Sequence, residues 1–130
     1  MKVKNINWKN VLLSFLLVAA VIALFTFIDY LFHLISEEYA VPGYYYHNKM
    51  VFGTIIGFIM YLFTAKAKPI ARALIFSAAV SILLQLRYYL EGYPRDFVFI
   101  FFGIHFAILV VITIPILLFR KGYKRMHILS

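Results

Sequence analysis

The 130-residue sequence contains no cysteine and few charged side chains. The absence of cysteine excludes disulfides, thiolate metal sites, covalent haem attachment and cysteine nucleophiles. Charged residues make up only 14% of the chain, whereas 65% of its residues are hydrophobic, so a solvated surface cannot be built around a soluble domain. This composition excludes the soluble globular, disordered and disulfide-scaffold classes, and it indicates an integral membrane protein.

The sequence also lacks the common catalytic motifs. It has no His-Glu-x-x-His, no Gly-x-Ser-x-Gly, no phosphate-binding glycine-rich loop and no Rossmann fingerprint. A haem held between His33 and His105 is geometrically conceivable in a helical bundle, but nothing else in the sequence points to it. The motifs therefore leave the question of an enzymatic activity open.

Four apolar stretches predict four membrane-spanning helices, because roughly 20 apolar residues are needed to cross the hydrocarbon core. We place the spans at residues 11–35, 49–66, 70–90 and 97–119 of a single transmembrane domain, residues 1–130. Lys49 and Lys66 stand at the two ends of the second span, where they could snorkel toward the interfaces. Short connections predict an all-α, antiparallel four-transmembrane-helix bundle.

The distribution of charge predicts the orientation in the membrane. All five Asp and Glu residues fall in the half of the bundle that lies away from the termini. Ten of the 13 Lys and Arg residues fall on the side of the termini: Lys2, Lys4, Lys9, Lys66, Lys68, Arg72, Arg120, Lys121, Lys124 and Arg125. The positive-inside rule then predicts that both termini are cytoplasmic. The same placement indicates anionic lipid, and not nucleic acid, as the partner of the basic residues.

Small residues indicate where helices approach one another. Gly53 and Gly57 form a Gly-x-x-x-Gly pattern in the second span, which permits close packing of a neighbouring helix. Ser77, Ser81 and Gln85 recur every four residues and predict a polar stripe on one face of the third helix. We interpret both patterns as helix-packing features.

Ionisable side chains concentrate in the outer half of the predicted bundle. Asp29, His33 and Glu37 follow an i, i+4, i+8 spacing and would share one face of the first helix. The other three helices contribute His47, Arg87, Glu91 and His105, together with the polar but uncharged Gln85. Eight of the ten tyrosines also lie toward this side, as an aromatic belt or as a docking surface for lipid, quinone or protein.

An ionisable residue in the hydrocarbon needs a partner or water, and three interpretations are open for Asp29. In the first interpretation Asp29 pairs with Arg87 or His105, and the group fixes the packing of the helices. This buried polar network would comprise Asp29, Gln85, Arg87, Glu91 and His105.

In the second interpretation, a divalent transition metal such as zinc, iron, manganese or copper(II) is bound, because imidazole and carboxylate suit these ions. The candidate ligands are Asp29, His33, His105, Glu37 and His47. A third interpretation uses the same residues as a proton relay or small-molecule site.

The Asp29-x3-His33 pair followed by His47 resembles one known arrangement. It is similar to the copper motif in the C subunit of the particulate methane and ammonia monooxygenases, where an Asp-x3-His at a helix end is joined by a second His after a loop. The resemblance covers 19 of 130 residues and implies copper as the metal. The gap from His33 to His47 is one residue longer than in that family and the chain has fewer spans, so we do not assign the chain to it.

Three functional hypotheses follow from these features. The first is a non-enzymatic subunit or accessory protein of a larger membrane assembly, with the lipid bilayer and other subunits or further copies of the chain as partners. The second is an outward-facing metal-binding protein or metal-dependent membrane enzyme. The third is a homo-oligomeric transporter, since one chain of this size is small for a transport pathway.

Overall fold

The chain is helical throughout the part that the structure describes. The structure is a computed structural model that describes the backbone of residues 7–129 and the side chains of residues 7–121. Within that range it contains no strand and forms α1 (Trp8–His33), a 3-10 turn (Glu37–Tyr39), α2 (Tyr44–Phe63), α3 (Pro69–Leu90) and α4 (Arg95–Leu129). Four basic residues used to predict the orientation lie outside the described side chains: Lys2, Lys4, Lys124 and Arg125.

Three of these helices are long and apolar enough to cross a membrane. They are α1, α3 and the Arg95–Lys121 part of α4. This finding supports the prediction of a helical membrane protein. The second predicted span is not among the three, because the first two turns of α2 include the polar sequence His47-Asn48-Lys49 and the helix is predominantly apolar only over residues 50–63.

The end of α1 differs from its prediction. The helix stops at His33 and not at residue 35, because Leu34 and Ile35 donate their backbone N–H groups to carbonyls three residues back, at 3.2 and 3.3 Å. Ser36 is then extended, and its hydroxyl accepts from the Glu38 N–H at 3.1 Å. Glu37 therefore lies on the 3-10 turn and does not share the α1 face of Asp29.

The start of α2 lies five residues before the predicted span. Gly43 is its N-cap residue, and the carbonyl of Pro42 accepts from the Tyr45 N–H at 3.0 Å. Lys49 consequently lies in the second turn of a helix that begins at Tyr44, and it does not stand at the end of the helix.

The turn after α3 ends the helix through a glycine in the left-handed region. Gly92 adopts φ +88°, a conformation that favours glycine. The Gly92 N–H donates to the Tyr89 carbonyl at 3.2 Å, and the Tyr93 N–H donates to the Tyr88 carbonyl at 3.2 Å. This pair of bonds is a Schellman motif, which closes α3 and lets α4 start at Arg95.

The four described helices pack antiparallel in a ring in which each contacts the next and α4 also contacts α1. Between α1 and α2, Ile22 faces Gly53 while Val18 faces Gly57, so the two helices run in opposite directions. The main hydrophobic core of the protein lies between the helices. It consists of Val18, Val21, Ile22, Phe25, Tyr61, Ala73, Phe76, Val80, Leu84, Ile108, Leu109, Ile112 and Leu117.

The Gly-x-x-x-Gly pattern of α2 packs against other helices of the same chain. A Cβ atom on Gly57 would lie 2.8 Å from Cε2 of Phe76 in α3 and 3.2 Å from Cγ1 of Val18 in α1. A Cβ atom on Gly53 would lie 3.2 Å from Cγ2 of Ile22. The two glycines therefore allow α2 to pack closely against its neighbours, Gly57 against two helices at once.

Candidate functional site

Asp29 is the centre of a buried polar network in the half of the molecule that holds the carboxylates. Its side chain is fully buried. Oδ1 accepts a hydrogen bond from Nε2 of His105 at 2.8 Å, and Oδ2 accepts from the ammonium of Lys49. Nε2 of His33 lies 3.3 Å from the same Oδ2. The carboxylate is thus approached from α1, α2 and α4.

Lys49 also contacts His33, and the tautomer of the imidazole follows from the partner of its other nitrogen. Nδ1 of His33 lies 2.5 Å from the carbonyl oxygen of Tyr39, which can only accept, so Nδ1 carries a proton. Nε2 then offers a lone pair, which the Lys49 ammonium reaches at 3.0 Å and the Tyr88 hydroxyl at 3.3 Å. The geometry therefore fits a neutral His33 that accepts from a protonated lysine.

His105 has the opposite tautomer. The side-chain amide nitrogen of Gln85 lies 2.6 Å from Nδ1 of His105 and donates to it. The ring proton is then on Nε2, which donates to Asp29. With two neutral imidazoles, the negative charge of Asp29 is balanced by the positive charge of Lys49.

The network connects all four helices. The connecting side chains are 6% exposed or less, so they interact in a medium of low dielectric where hydrogen bonds are strong and unpaired groups are costly. They are Asp29 and His33 from α1, Lys49 from α2, Gln85 and Tyr88 from α3, and His105 from α4.

Aromatic rings enclose the network. The His33 ring stacks on Phe101 with centroids 4.2 Å apart and an interplanar angle of 5°. His105 meets Phe25 edge to face at 5.2 Å, and the ammonium of Lys49 lies 5.2 Å from the centroid of the Tyr88 ring. These rings shield the charges from solvent and add a cation–π attraction for the lysine.

Three members of the network could hold a metal ion by distance alone. Ligand atoms of Asp29, His33 and His105 all lie within 4.8 Å of one another. However, the Lys49 ammonium is hydrogen-bonded to two of the three, and Nε2 of His105 is the nitrogen that donates to Asp29. A metal ion would therefore have to displace the ammonium and take the lone pair of Nε2.

Two residues of the predicted polar network lie elsewhere. Nε of Arg87 donates to Oε1 of Glu91 at 3.2 Å, and each of these side chains is 34% exposed. The Arg87 guanidinium lies 5.6 Å from the centroid of the Tyr45 ring and is not a partner of Asp29. The reason is that Lys49 of α2 points into the interior and reaches the carboxylate. The guanidinium of Arg87 lies at the partly exposed end of α3.

Two of the five candidate metal ligands do not reach the site. Glu37 is exposed on the 3-10 turn, because α1 ends four residues before it. His47 is exposed on the first turns of α2. The three side chains that resemble the monooxygenase copper motif therefore do not converge, and the histidine of another helix that contacts Asp29 is His105.

The serine stripe of α3 faces the interior, as a packing role requires. Ser77 and Ser81 are fully buried. The hydroxyl oxygen of Ser77 lies 3.4 Å from that of Thr113 in α4, while the hydroxyl of Ser81 has no hydrogen-bond partner among the residues described. Small side chains here allow α3 and α4 to approach each other.

Sequence reasoning missed Lys49 and Tyr88 as members of the network. A signal for Lys49 is present in the sequence: Pro42-Gly43 marks a helix start before Tyr44, which would place Lys49 well inside the helix. Tyr88 could have been found from its position three residues after Gln85, on the same side of α3.

A cavity of about 340 Å³ lies between α2 and α3 beside the network. Its wall includes Lys49 and Tyr88 of the network as well as the Arg87–Glu91 pair, and the rest is largely aliphatic and aromatic. Its volume is at the lower end of the range found for small-molecule sites.

No known protein family, curated protein or solved structure matches this chain.

Proposed function

We propose that this protein is a non-enzymatic subunit or accessory protein of a larger membrane assembly. In this proposal the four helices cross the bilayer as an antiparallel bundle with both termini on the cytoplasmic side. The buried network around Asp29 holds the helices in register, and the apolar outer faces contact lipid and partner subunits.

The observation that carries the proposal is the position of Lys49. Its ammonium binds Asp29 and His33, which are two of the three side chains grouped closely enough to hold a metal ion. The charge of the centre is therefore balanced by the chain itself. Each connecting side chain is also at most 6% exposed, which supports a role in holding the helices together.

The same ion pair supports a membrane-spanning α2. A charged side chain in the hydrocarbon region costs about 2.5–3.5 kcal/mol on insertion scales, and Lys49 is the one Lys, Arg, Asp or Glu residue within α2. Because Lys49 faces Asp29 inside the protein and is only 2% exposed, its charge is not presented to lipid. With this charge paired, α2 is compatible with the bilayer.

Native mass spectrometry of the tagged protein, extracted in mild detergent from its own membrane, tests the subunit role. We expect a complex of fixed stoichiometry, no stoichiometric metal, and loss of the complex in Asp29→Asn. Glu38→Gln is the matched control, because Glu38 is an exposed carboxylate outside the network. A wild-type protein that runs alone as a stable monomer without partners would contradict the proposal.

Cysteine labelling tests the spans and the orientation, since the chain has no cysteine of its own. Gly43 lies in the connection before α2 with no side chain within 4 Å of a Cβ atom built on it, and Lys66 is exposed in the connection after α2. We expect Gly43→Cys to react with a membrane-impermeant maleimide on intact cells, and Lys66→Cys to react only after permeabilisation. Labelling of both positions from the same side would exclude a spanning α2.

A metal-binding protein is the second candidate, favoured by the 4.8 Å grouping of Asp29, His33 and His105. Elemental analysis of protein purified without chelators tests it. Stoichiometric metal in the wild-type protein, lost in His33→Ala, would establish this function. Metal that is absent from the wild type but bound by Lys49→Ala would show that the lysine excludes the ion.

A further inference from the structure

Two arginines from different helices converge on Tyr61 at the end of the molecule opposite the Asp29 network. Tyr61 lies near the end of α2 and is 5% exposed. Nη2 of Arg72 in α3 donates to the Tyr61 carbonyl oxygen at 2.5 Å, and its guanidinium carbon lies 3.5 Å from the ring centroid. Nη1 of Arg120 in α4 donates to the Tyr61 hydroxyl at 2.5 Å, with its guanidinium carbon 5.6 Å from the centroid.

This arginine pair has no carboxylate counter-ion in the described part of the chain. Neither Arg72 nor Arg120 forms a salt bridge there, and all five Asp and Glu residues of the sequence fall in the other half of the molecule. Nε of Arg72 is buried and has no acceptor among the described residues. Two positive charges are thus held beside one ring, and an anion that joined them would relieve their repulsion.

The geometry suits an anion with several acceptor oxygens. A guanidinium has five N–H donors in a planar fork, and the hydrogen bonds to Tyr61 use one donor of each arginine. Phosphate is the group that such forks recognise through paired hydrogen bonds. Because both arginines are half-buried, their attraction for an anion is screened less than that of a fully exposed lysine.

The location of the pair indicates that the anion belongs to a lipid. Arg72 is in the first turn of α3 and Arg120 lies where the apolar part of α4 gives way to Lys121, so both stand at the ends of apolar helices. Basic pockets between helices at this level bind acidic lipid headgroups. We propose that Arg72 and Arg120, oriented by Tyr61, form a binding site for the phosphate group of an anionic phospholipid.

Native mass spectrometry of protein purified in detergent containing equal amounts of phosphatidylglycerol and phosphatidylcholine tests this site. We expect the wild-type protein to retain phosphatidylglycerol preferentially. Each arginine removed should reduce this preference about fivefold, and Arg72→Gln with Arg120→Gln about 25-fold, if each residue contributes about 1 kcal/mol.

The matched control is Lys66→Gln with Lys121→Gln, which removes the same charge from exposed positions at the same end. We expect this control to change the preference by at most about twofold, because exposed charges are screened by solvent and salt. An equal loss in both double variants, or no loss in the arginine variant, would overturn the site.

The single variant Arg120→Gln keeps the test decisive if the double variant does not fold. Arg120 bonds a side-chain hydroxyl and not a backbone carbonyl, so the hydrogen bond of Arg72 to α2 is retained. A folded Arg120→Gln protein with unchanged lipid preference would also overturn the site. The result is separate from that of the subunit proposal, because it is read from lipid retention and not from partner assembly.

Discussion

Asp29 and Lys49 form an ion pair between α1 and α2 in which both side chains are at most 2% exposed. A buried pair of this kind loses much of its Coulomb attraction to the cost of removing both charges from solvent. His105 donates a further hydrogen bond to the carboxylate, and His33 accepts one from the ammonium, so both charged groups are hydrogen-bonded more than once. Removal of one member therefore leaves a buried charge without its partner.

We predict strong coupling between these two residues. Asp29→Asn and Lys49→Met should each lower the free energy of unfolding by about 3–5 kcal/mol, because each leaves an uncompensated buried charge. The double variant Asp29→Asn/Lys49→Met should lose less than the sum of the single variants, since neither charge remains. Reversible unfolding in mixed detergent, analysed as a double-mutant cycle, measures the coupling.

Glu38→Gln serves as the control for this cycle, because it removes an exposed carboxylate and should leave the free energy of unfolding nearly unchanged. Strict additivity of Asp29→Asn and Lys49→Met would contradict the ion pair.

The two histidines of the network should have opposite neutral tautomers. His33 donates from Nδ1 to the Tyr39 carbonyl, whereas His105 accepts at Nδ1 from Gln85 and donates from Nε2 to Asp29. Nitrogen-15 NMR of the protein in nanodiscs distinguishes the two forms for each labelled ring. A doubly protonated His105, or the same tautomer at both positions, is incompatible with this hydrogen-bond pattern.

We predict that Arg87 contributes little to stability. Its ion pair with Glu91 is an i, i+4 contact at the partly exposed end of α3, and such pairs contribute less than about 1 kcal/mol. Arg87→Gln should therefore change the free energy of unfolding by less than about 1 kcal/mol, far less than Lys49→Met in the same assay. An equally large effect of Arg87→Gln would restore Arg87 as the partner of Asp29.

Gly57 should be much less tolerant of alanine than Gly103. The added Cβ at Gly57 would come within 2.8 Å of the Phe76 ring and 3.2 Å of Val18, so α2 or its neighbours must move. We expect Gly57→Ala to cost about 1–3 kcal/mol of unfolding free energy, as overpacked cores do.

The matched control is Gly103→Ala, where a Cβ atom on this helical residue of α4 meets nothing within 4 Å. Alanine is the better helix former, so this change should stabilise the protein by about 0.5–1 kcal/mol. Thermal unfolding in detergent compares the two variants. Similar stability changes with the same sign would show that Gly57 is not a close-packing position.

Helix type and the positions of the apolar stretches could be read from local sequence, because they depend on runs of neighbouring residues. The connection after α3 is an example, since Gly92 and Pro94 mark the turn before α4. Helix ends were harder to predict. α1 ends at His33, and Ser36 then caps the 3-10 turn that follows. α2 starts at Tyr44 after Pro42-Gly43, within a tyrosine-rich segment that also resembles an interfacial belt.

The sequence by itself determined that the chain is helical, apolar enough for a bilayer, and polar in one half at Asp29, His33, Gln85 and His105. Only the tertiary structure decided which cation neutralises Asp29. Arg87 and Lys49 carry the same charge, and they differ in the direction in which their side chains leave the helix. The orientation of α2 about its axis directs Lys49 inward to the carboxylate, while Arg87 lies at the partly exposed end of α3. Charge composition is a property of the chain, but charge pairing depends on how the helices face one another.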